Sequence, residues 1–384
     1  MIIRILIFIS RIFIGIVFMF SGFIKAVDPW GSAYKFKEYF EALGMEAFIP
    51  YALTFSIILI GVEFIVGFCL FFGLKFRLAT WGALLFMLLF LPLTLWLAIS
   101  NKVSDCGCFG DAIKLTNWQT FYKNVIIMVP TIILFIFQKR AKPYCSCIKQ
   151  WLLSGIGVGI VAFVIWYSYS HLPLIDFLPY KVGNNISEMM KIPDGMPKNE
   201  YEQFITLKDT TKNKTIEIPV STYSGDSIYW GTGTKYKYIS ISDAKLVKEG
   251  YKTPIHDLTI NTASGENILD SVLAIDNYTF IIISTKLEKS DVSKTKEIYE
   301  LARWASSKNL LFIGLTSSLK EDINKYITNT QASFMIYNCD EITLETIIRA
   351  NPGIVLLKKG TIIAKWHYND IPTPKEFEKE YLTK

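Results

Sequence analysis

The chain has 384 residues, 51% of them hydrophobic, and its mean hydropathy is positive. That length favours two domains over one. The net charge of +6 is mild and forms no Lys/Arg block; it reads as loop charge near a membrane and excludes a nucleic-acid partner.

A bilayer core of ~30 Å calls for roughly 20 apolar residues per spanning helix. Five segments meet this in chain order. Ile5–Ile24 is interrupted only by Arg11. It lacks a small-x-small cleavage site and runs too long for a signal peptide, so it counts as a helix. Ala52–Leu74 is interrupted only by Glu63, and Leu78–Ile99 carries no charge. Asn124–Gln138 is short, but the uncharged polar stretch Thr116–Tyr122 extends it past Lys123. Trp151–Ile175 is again free of charge. After Pro179 the composition turns to Lys, Asp, Glu, Thr and Asn. The expected organisation is a bundle of four spans over 1–150, a fifth helix and linker over 151–179, a small β-rich region over 180–252 and an α/β domain over 253–384.

Lys and Arg set the expected orientation. Arg4, Lys75, Arg77, Lys139, Arg140, Lys142 and Lys149 gather on one face. Lys25, Lys35, Lys37, Lys102 and Lys114 fall on the other, diluted by acidic residues. The first face is expected to be cytoplasmic. Five spans then leave the C-terminal domain extracytoplasmic, in the periplasm or on the outer surface of a one-membrane bacterium.

Six cysteines are present. Cys106 and Cys108 lie in an Asp-Cys-Gly-Cys-Phe-Gly-Asp loop on the expected outer side, and Cys145 and Cys147 lie in a Cys-Ser-Cys loop on the inner side. One span separates the pairs, ~30 Å, so a shared four-thiolate metal site is not expected. Two readings of the outer pair stay open. It forms a strained, exchangeable disulfide eased by the central Gly107, or it is a tight turn with incidental thiols. The inner pair faces a reducing compartment; juxtamembrane thiols without a role, lipidation and metal binding are its readings. Cys69 lies within the second span, and Cys339 is alone in the soluble part.

Glu63 sits midway along its span. A carboxylate there costs at least ~3 kcal/mol unless paired, protonated or hydrated, so it is expected to face the bundle interior. Arg11 reaches inward to Glu63 or snorkels to the headgroups, and Lys25 marks the outer end of the first helix. Such a polar network of Arg11, Lys25 and Glu63 locks helices together or lines a quinone or proton site.

In the soluble part, Gln203–Leu207, Thr215–Val220, Ser227–Trp230 and Tyr236–Ile241 read as short strands, and Thr253–Ile260 as a further one. Tyr278–Ser284 and Leu310–Leu315 are continuous apolar runs fit for buried strands. Helical stretches are expected at 293–309, 319–329 and 343–349, and short strands at 334–337, 354–357 and 361–366. That β-α-β-α order followed by a hairpin resembles the thioredoxin fold. The resemblance is carried by Pro254–Ile260 with Gly265, by the strand at Phe280–Ile283, and by Asn351-Pro352 before the hairpin, where the fold places a cis-proline. The fold's C-x-x-C position holds Ser284-Thr285-Lys286-Leu287 instead. Without a thiolate there the domain cannot exchange disulfides itself, which leaves a docking groove at Asn351 and Pro352.

The membrane half resembles the DoxX/MauE group of redox-associated membrane proteins. The motifs are Arg11-Ile-Phe-Ile-Gly15, Ser21-Gly22-x-x-Lys25, Gly61-x-Glu63, Gly73-Leu-x-x-Arg77 and Cys106-Gly-Cys-Phe-Gly-Asp111 with Trp118. They cover about residues 4–140, and the bundle joined to a thioredoxin-like tail without C-x-x-C resembles a family of Bacteroidetes membrane proteins. The resemblance implies an inner-membrane role near thiol redox, methylamine dehydrogenase maturation or quinone reduction. Cys106 and Cys108 become a candidate redox pair for a periplasmic thiol protein, with membrane lipid as the other partner and a quinone as the one cofactor considered. A non-catalytic anchor or assembly factor for an envelope complex and a quinone-linked subunit using Glu63 are the competing readings. No Ser-His-Asp set, phosphate loop or H-E-x-x-H motif occurs, and the three histidines, His171, His256 and His367, offer little imidazole chemistry.

Overall fold

The computed structural model describes residues 2–103, 105–140 and 146–383, so Cys145 lies outside the described residues. The chain divides into two compact units, residues 1–184 with 259–384, and residues 185–258.

The first unit begins with α1 (Ile2–Val27), α2 (Pro29–Ala42), α3 (Ala52–Phe72), α4 (Phe76–Ser100), α5 (Asn117–Phe137) and α6 (Cys147–Ser170). Five of these, all but α2, are long and apolar enough to cross a membrane, α3 with its preceding 3-10 turn and α5 with its following one. Their surfaces are apolar: Ile9, Leu85, Ile126 and Leu152 are more than half exposed. Their interior holds polar groups, among them Arg11, Lys25, Ser56, Glu63, Thr94, Asn124 and Thr131. Such a distribution costs heavily in water and suits lipid, where polar groups must be satisfied inside. The protein is a multi-pass membrane protein.

Helix ends follow their caps. α5 begins at Asn117 rather than Asn124, because Thr116 and Gln119 form a reciprocal capping box. α6 covers Cys147–Ser170 rather than Trp151–Ile175; Pro173 bars any extension. The helix α2 was not anticipated, although its signal was present: Asp28 caps it by accepting the Gly31 N–H at 2.9 Å, with Pro29 in the first turn.

α1 and α3 pack most closely. A Cβ built on Gly22 would stand 2.7 Å from the Phe64 backbone nitrogen, so only glycine permits this crossing.

The second unit contains β1 (Glu200–Glu202), β2 (Phe204–Asp209), β3 (Lys214–Pro219), β4 (Tyr236–Ile241) and β5 (Lys245–Lys248). β3-β2-β4 form an antiparallel sheet and β1 pairs with β5. Ser227–Tyr229, expected as a strand, is a 3-10 turn capped by Asp226, whose carboxylate accepts the Ile228 N–H. Thr253–Ile260 bends at Pro254 and Ile255 and, among the described residues, pairs with no strand. Its apolar residues Ile255, Leu258 and Ile260 are buried without a ladder. Burial, not pairing, explains the pattern that read as a strand.

The remainder of the first unit is a C-terminal sheet domain with β6 (Thr279–Ile283), β7 (Leu311–Thr316), β8 (Met335–Asn338), β9 (Gly353–Lys358) and β10 (Thr361–His367). The strand order is β10-β9-β6-β7-β8, with β6, β7 and β8 mutually parallel and β9 and β10 antiparallel. β6 is buried throughout, as its unbroken apolar run requires. The helix Thr295–Ser307 covers one face with Ile298, Leu301, Ala302 and Ala305. Phe280, Leu301, Ile354, Leu356 and Phe377 fill the core. The Asn351–Pro352 peptide bond is cis.

Candidate functional site

The Cys106–Cys108 loop links the end of α4 to the start of α5. The two sulfurs stand 2.7 Å apart, inside van der Waals contact, against ~2.05 Å for a disulfide bond. Both are thiols in this structure. The loop is held at each cysteine: the Tyr39 hydroxyl donates to the Cys106 carbonyl at 2.8 Å, and the Ser21 hydroxyl donates to the Cys108 carbonyl at 2.6 Å. Asp105 closes the turn by accepting the Gly107 N–H at 3.1 Å, and Lys35 pairs with the same carboxylate at 2.8 Å. Gly107 has φ +66°, and a Cβ there would press on Lys35, so two constraints demand glycine.

The environment of the pair is uneven. Cys106 is buried in an apolar cluster with Leu97 and Val103, flanked by Trp96 and Tyr39. Its thiol is raised above its usual range, first by its hydrogen bond to Cys108 and then by burial. Cys108 is lowered to about 6, chiefly because it accepts that hydrogen bond; burial opposes this, and the ammonium groups of Lys123 and Lys25 support it. The opposite shifts favour Cys108 over Cys106 as the pair's thiolate, and thiolates are the reactive form. Lys35 is raised: burial pulls it down, but its hydrogen bond and attraction to Asp105 prevail.

Of the expected polar network, the structure joins Lys25 and Glu63. Nζ and Oε2 are 2.5 Å apart, and both residues are buried. The Gly22 crossing brings the two together. Arg11 is buried farther along α1, its guanidinium 5.3 Å from the Phe8 ring centroid. Cys147 is exposed at the opposite end of the bundle, its sulfur 3.2 Å from Lys75 Nζ. Cys69 pairs with Ser154 at 3.5 Å, and Cys339, just past β8, is buried with its backbone N–H donating to the Thr316 carbonyl.

The sheet domain is fastened at the Cys106–Cys108 end. Arg349 Nε donates to both oxygens of Asp28, at 3.1 and 2.9 Å, and Nη2 lies 3.4 Å from Asp111. The guanidinium also covers the Tyr34 ring. Lys365 pairs with Asp176 at 2.7 Å. Sequence reasoning missed this clamp. Asp28 before Pro29 was its one local signal, while Arg349 lies more than three hundred residues away at the end of the helical stretch 343–349. Asn351, next to the cis-proline Pro352, lines a cavity of about 890 Å³ that Trp30, Tyr34 and Lys37 of α2 also line. Near it, Glu345 is raised to about 7, first by burial; Lys37 opposes this and Glu341 adds to it.

Residues 3–138 match the family model described as methylamine utilisation protein MauE. The membrane half is similar to MauE. The match covers α1 to α5 together with the Cys106–Cys108 loop and stops before α6 and the sheet domain. No curated protein and no solved structure matches the chain.

Proposed function

We propose that this MauE-like protein is an inner-membrane thiol-redox protein whose Cys106–Cys108 pair exchanges electrons with an envelope partner. The observation that carries this reading is the contact of the two sulfurs on a braced loop at the end of the bundle where Arg349 fastens the sheet domain. The sheet domain then acts as a thioredoxin-like docking module. Its strand order supports that reading, and Ser284–Leu287 supply no competing thiol. The cavity beside Asn351 and Pro352 is large enough for an extended segment of the partner. The MauE match supports a part in maturing an envelope enzyme, of the kind named by methylamine utilisation. Arg4, Lys75, Arg77 and Lys149 lie at the opposite end of the bundle, which supports a cytoplasmic position there and a periplasmic sheet domain.

Alkylation mass-tagging in cells tests the exchange. Cys106 and Cys108 are expected to shift between reduced and oxidised forms with growth conditions; a pair that stays reduced under all of them ends the proposal. Replacing both by Ser with no change in phenotype favours a scaffold instead. A tag on the sheet domain should be cleaved by protease added to the periplasmic side alone.

A further inference from the structure

The Lys25–Glu63 ion pair is buried inside the bundle, yet it lies directly beneath the cysteine loop. Ser21 and Lys25 are four residues apart on one face of α1. Ser21 holds the Cys108 carbonyl, and Ile24 borders the turn at Gly110. Glu63, brought close by the Gly22 crossing, fixes the ammonium at 2.5 Å. A second cation, Lys123 of α5, stands 4.4 Å from the ring centroid of Phe109, the neighbour of Cys108. Cys106 instead faces Leu97, Val103 and the Tyr39 ring. The charged and titratable groups around the pair are Lys25 from α1, Lys35 and Tyr39 from α2, Glu63 from α3, Lys123 from α5, and Asp105 of the loop. Lys35 is occupied by Asp105 and Glu38.

Resting on the thiol-exchange reading, we propose that Cys108 is the attacking sulfur, Cys106 the resolving one, and Lys25, anchored by Glu63, the positioning residue that makes them unequal. The Cys108 thiolate attacks a partner disulfide, forming a mixed disulfide and releasing one partner thiolate, which takes a proton from water. Cys106 then gives up its proton and attacks the Cys108 sulfur. The Cys106–Cys108 disulfide forms and the second partner thiolate leaves with that proton. Two electrons pass from the pair to the partner disulfide.

The test uses the full-length protein in lipid nanodiscs with dithiodipyridine as the disulfide probe. Cys106→Ser should accumulate the mixed disulfide on Cys108, while Cys108→Ser should react far more slowly at neutral pH. The rate for Cys106→Ser should fall as pH drops. Adding Lys25→Gln should move that fall to higher pH and slow the reaction at pH 7 by about tenfold, through loss of thiolate; Lys25→Arg should restore the profile. The reverse trapping pattern, or a profile unmoved by Lys25→Gln, overturns this assignment while leaving thiol exchange standing. Wild type, Cys106→Ser and Cys108→Ser all inert to the probe would sink the exchange reading itself. If Lys25→Gln does not fold, the cysteine variants decide the assignment alone.

Discussion

The bundle and the sheet domain bury opposite kinds of residue. The sheet domain hides Phe280, Ile282, Leu301 and Phe377 in its core and keeps its buried cationic side chains, those of Arg349 and Lys365, outside that cluster in ion pairs. The bundle exposes Leu85, Ile126 and Leu152 and hides Lys25, Glu63 and Asn124. One rule explains both: apolar surface faces whatever is not water, and polar groups go where they can be satisfied. The difference teaches where chemistry can be placed. In the sheet domain a charge in the core would be a defect, whereas in the bundle the interior is the one place a charge can be kept, paired, beneath a reactive loop.

Four changes sharpen or break this comparison. The largest effect is expected in the sheet domain, where Phe280→Ala removes a wholly buried ring and should cost about 3–5 kcal/mol. Hydrogen exchange of the full-length protein should show β6 amides opening early while α1 and α3 stay protected. Lys25→Met is the mirror experiment. An added apolar side chain should weaken the bundle by roughly 3 kcal/mol because Glu63 loses its partner. Thermal unfolding in detergent measures it, and the double change with Glu63→Met should recover much of the loss; an additive loss would refute the pairing. Arg349→Leu should cost ~2 kcal/mol by leaving Asp28 without its bidentate donor, read as faster proteolytic release of the sheet domain with both parts still folded. The smallest effect concerns Glu345. Its carboxyl is raised from 4.5 to about 7 on folding, first by burial. A raised acid favours the folded form fully below pH 4.5, and that contribution fades as pH rises through about 7. Protease resistance of the sheet domain should decline over that window, and Glu345→Gln should flatten the decline.

Much of both regions was legible in the sequence. The spans announced themselves by length without charge, and only their ends moved, where Thr116 and Gln119 cap α5 and Pro173 stops α6. The runs at 279–283 and 311–316 were readable as strands because continuous β-branched and apolar residues fit a sheet covered on both faces. Ser227–Tyr229 and Thr253–Ile260 misled for the opposite reason. They carry strand-like residues, but Asp226 captures the first into a turn, and burial with hydrogen bonds at Thr253 and Asn267 orders the second. α2 was missed because its modest apolar content hid between two stronger signals. The cysteine motif pointed to the site, and its unequal surroundings did not follow from spacing.

The sequence by itself determined the five apolar spans, the C-x-C loop and a sheet domain without C-x-x-C, because each is written in local composition and spacing. The tertiary structure decided that Lys25 meets Glu63, that this pair lies under Cys108, and that Arg349 finds Asp28 across more than three hundred residues of chain. Such contacts depend on how closely helices cross and which faces turn inward. Gly15, Gly22 and Gly67 together set that distance, and no local pattern reveals what lies on their far side.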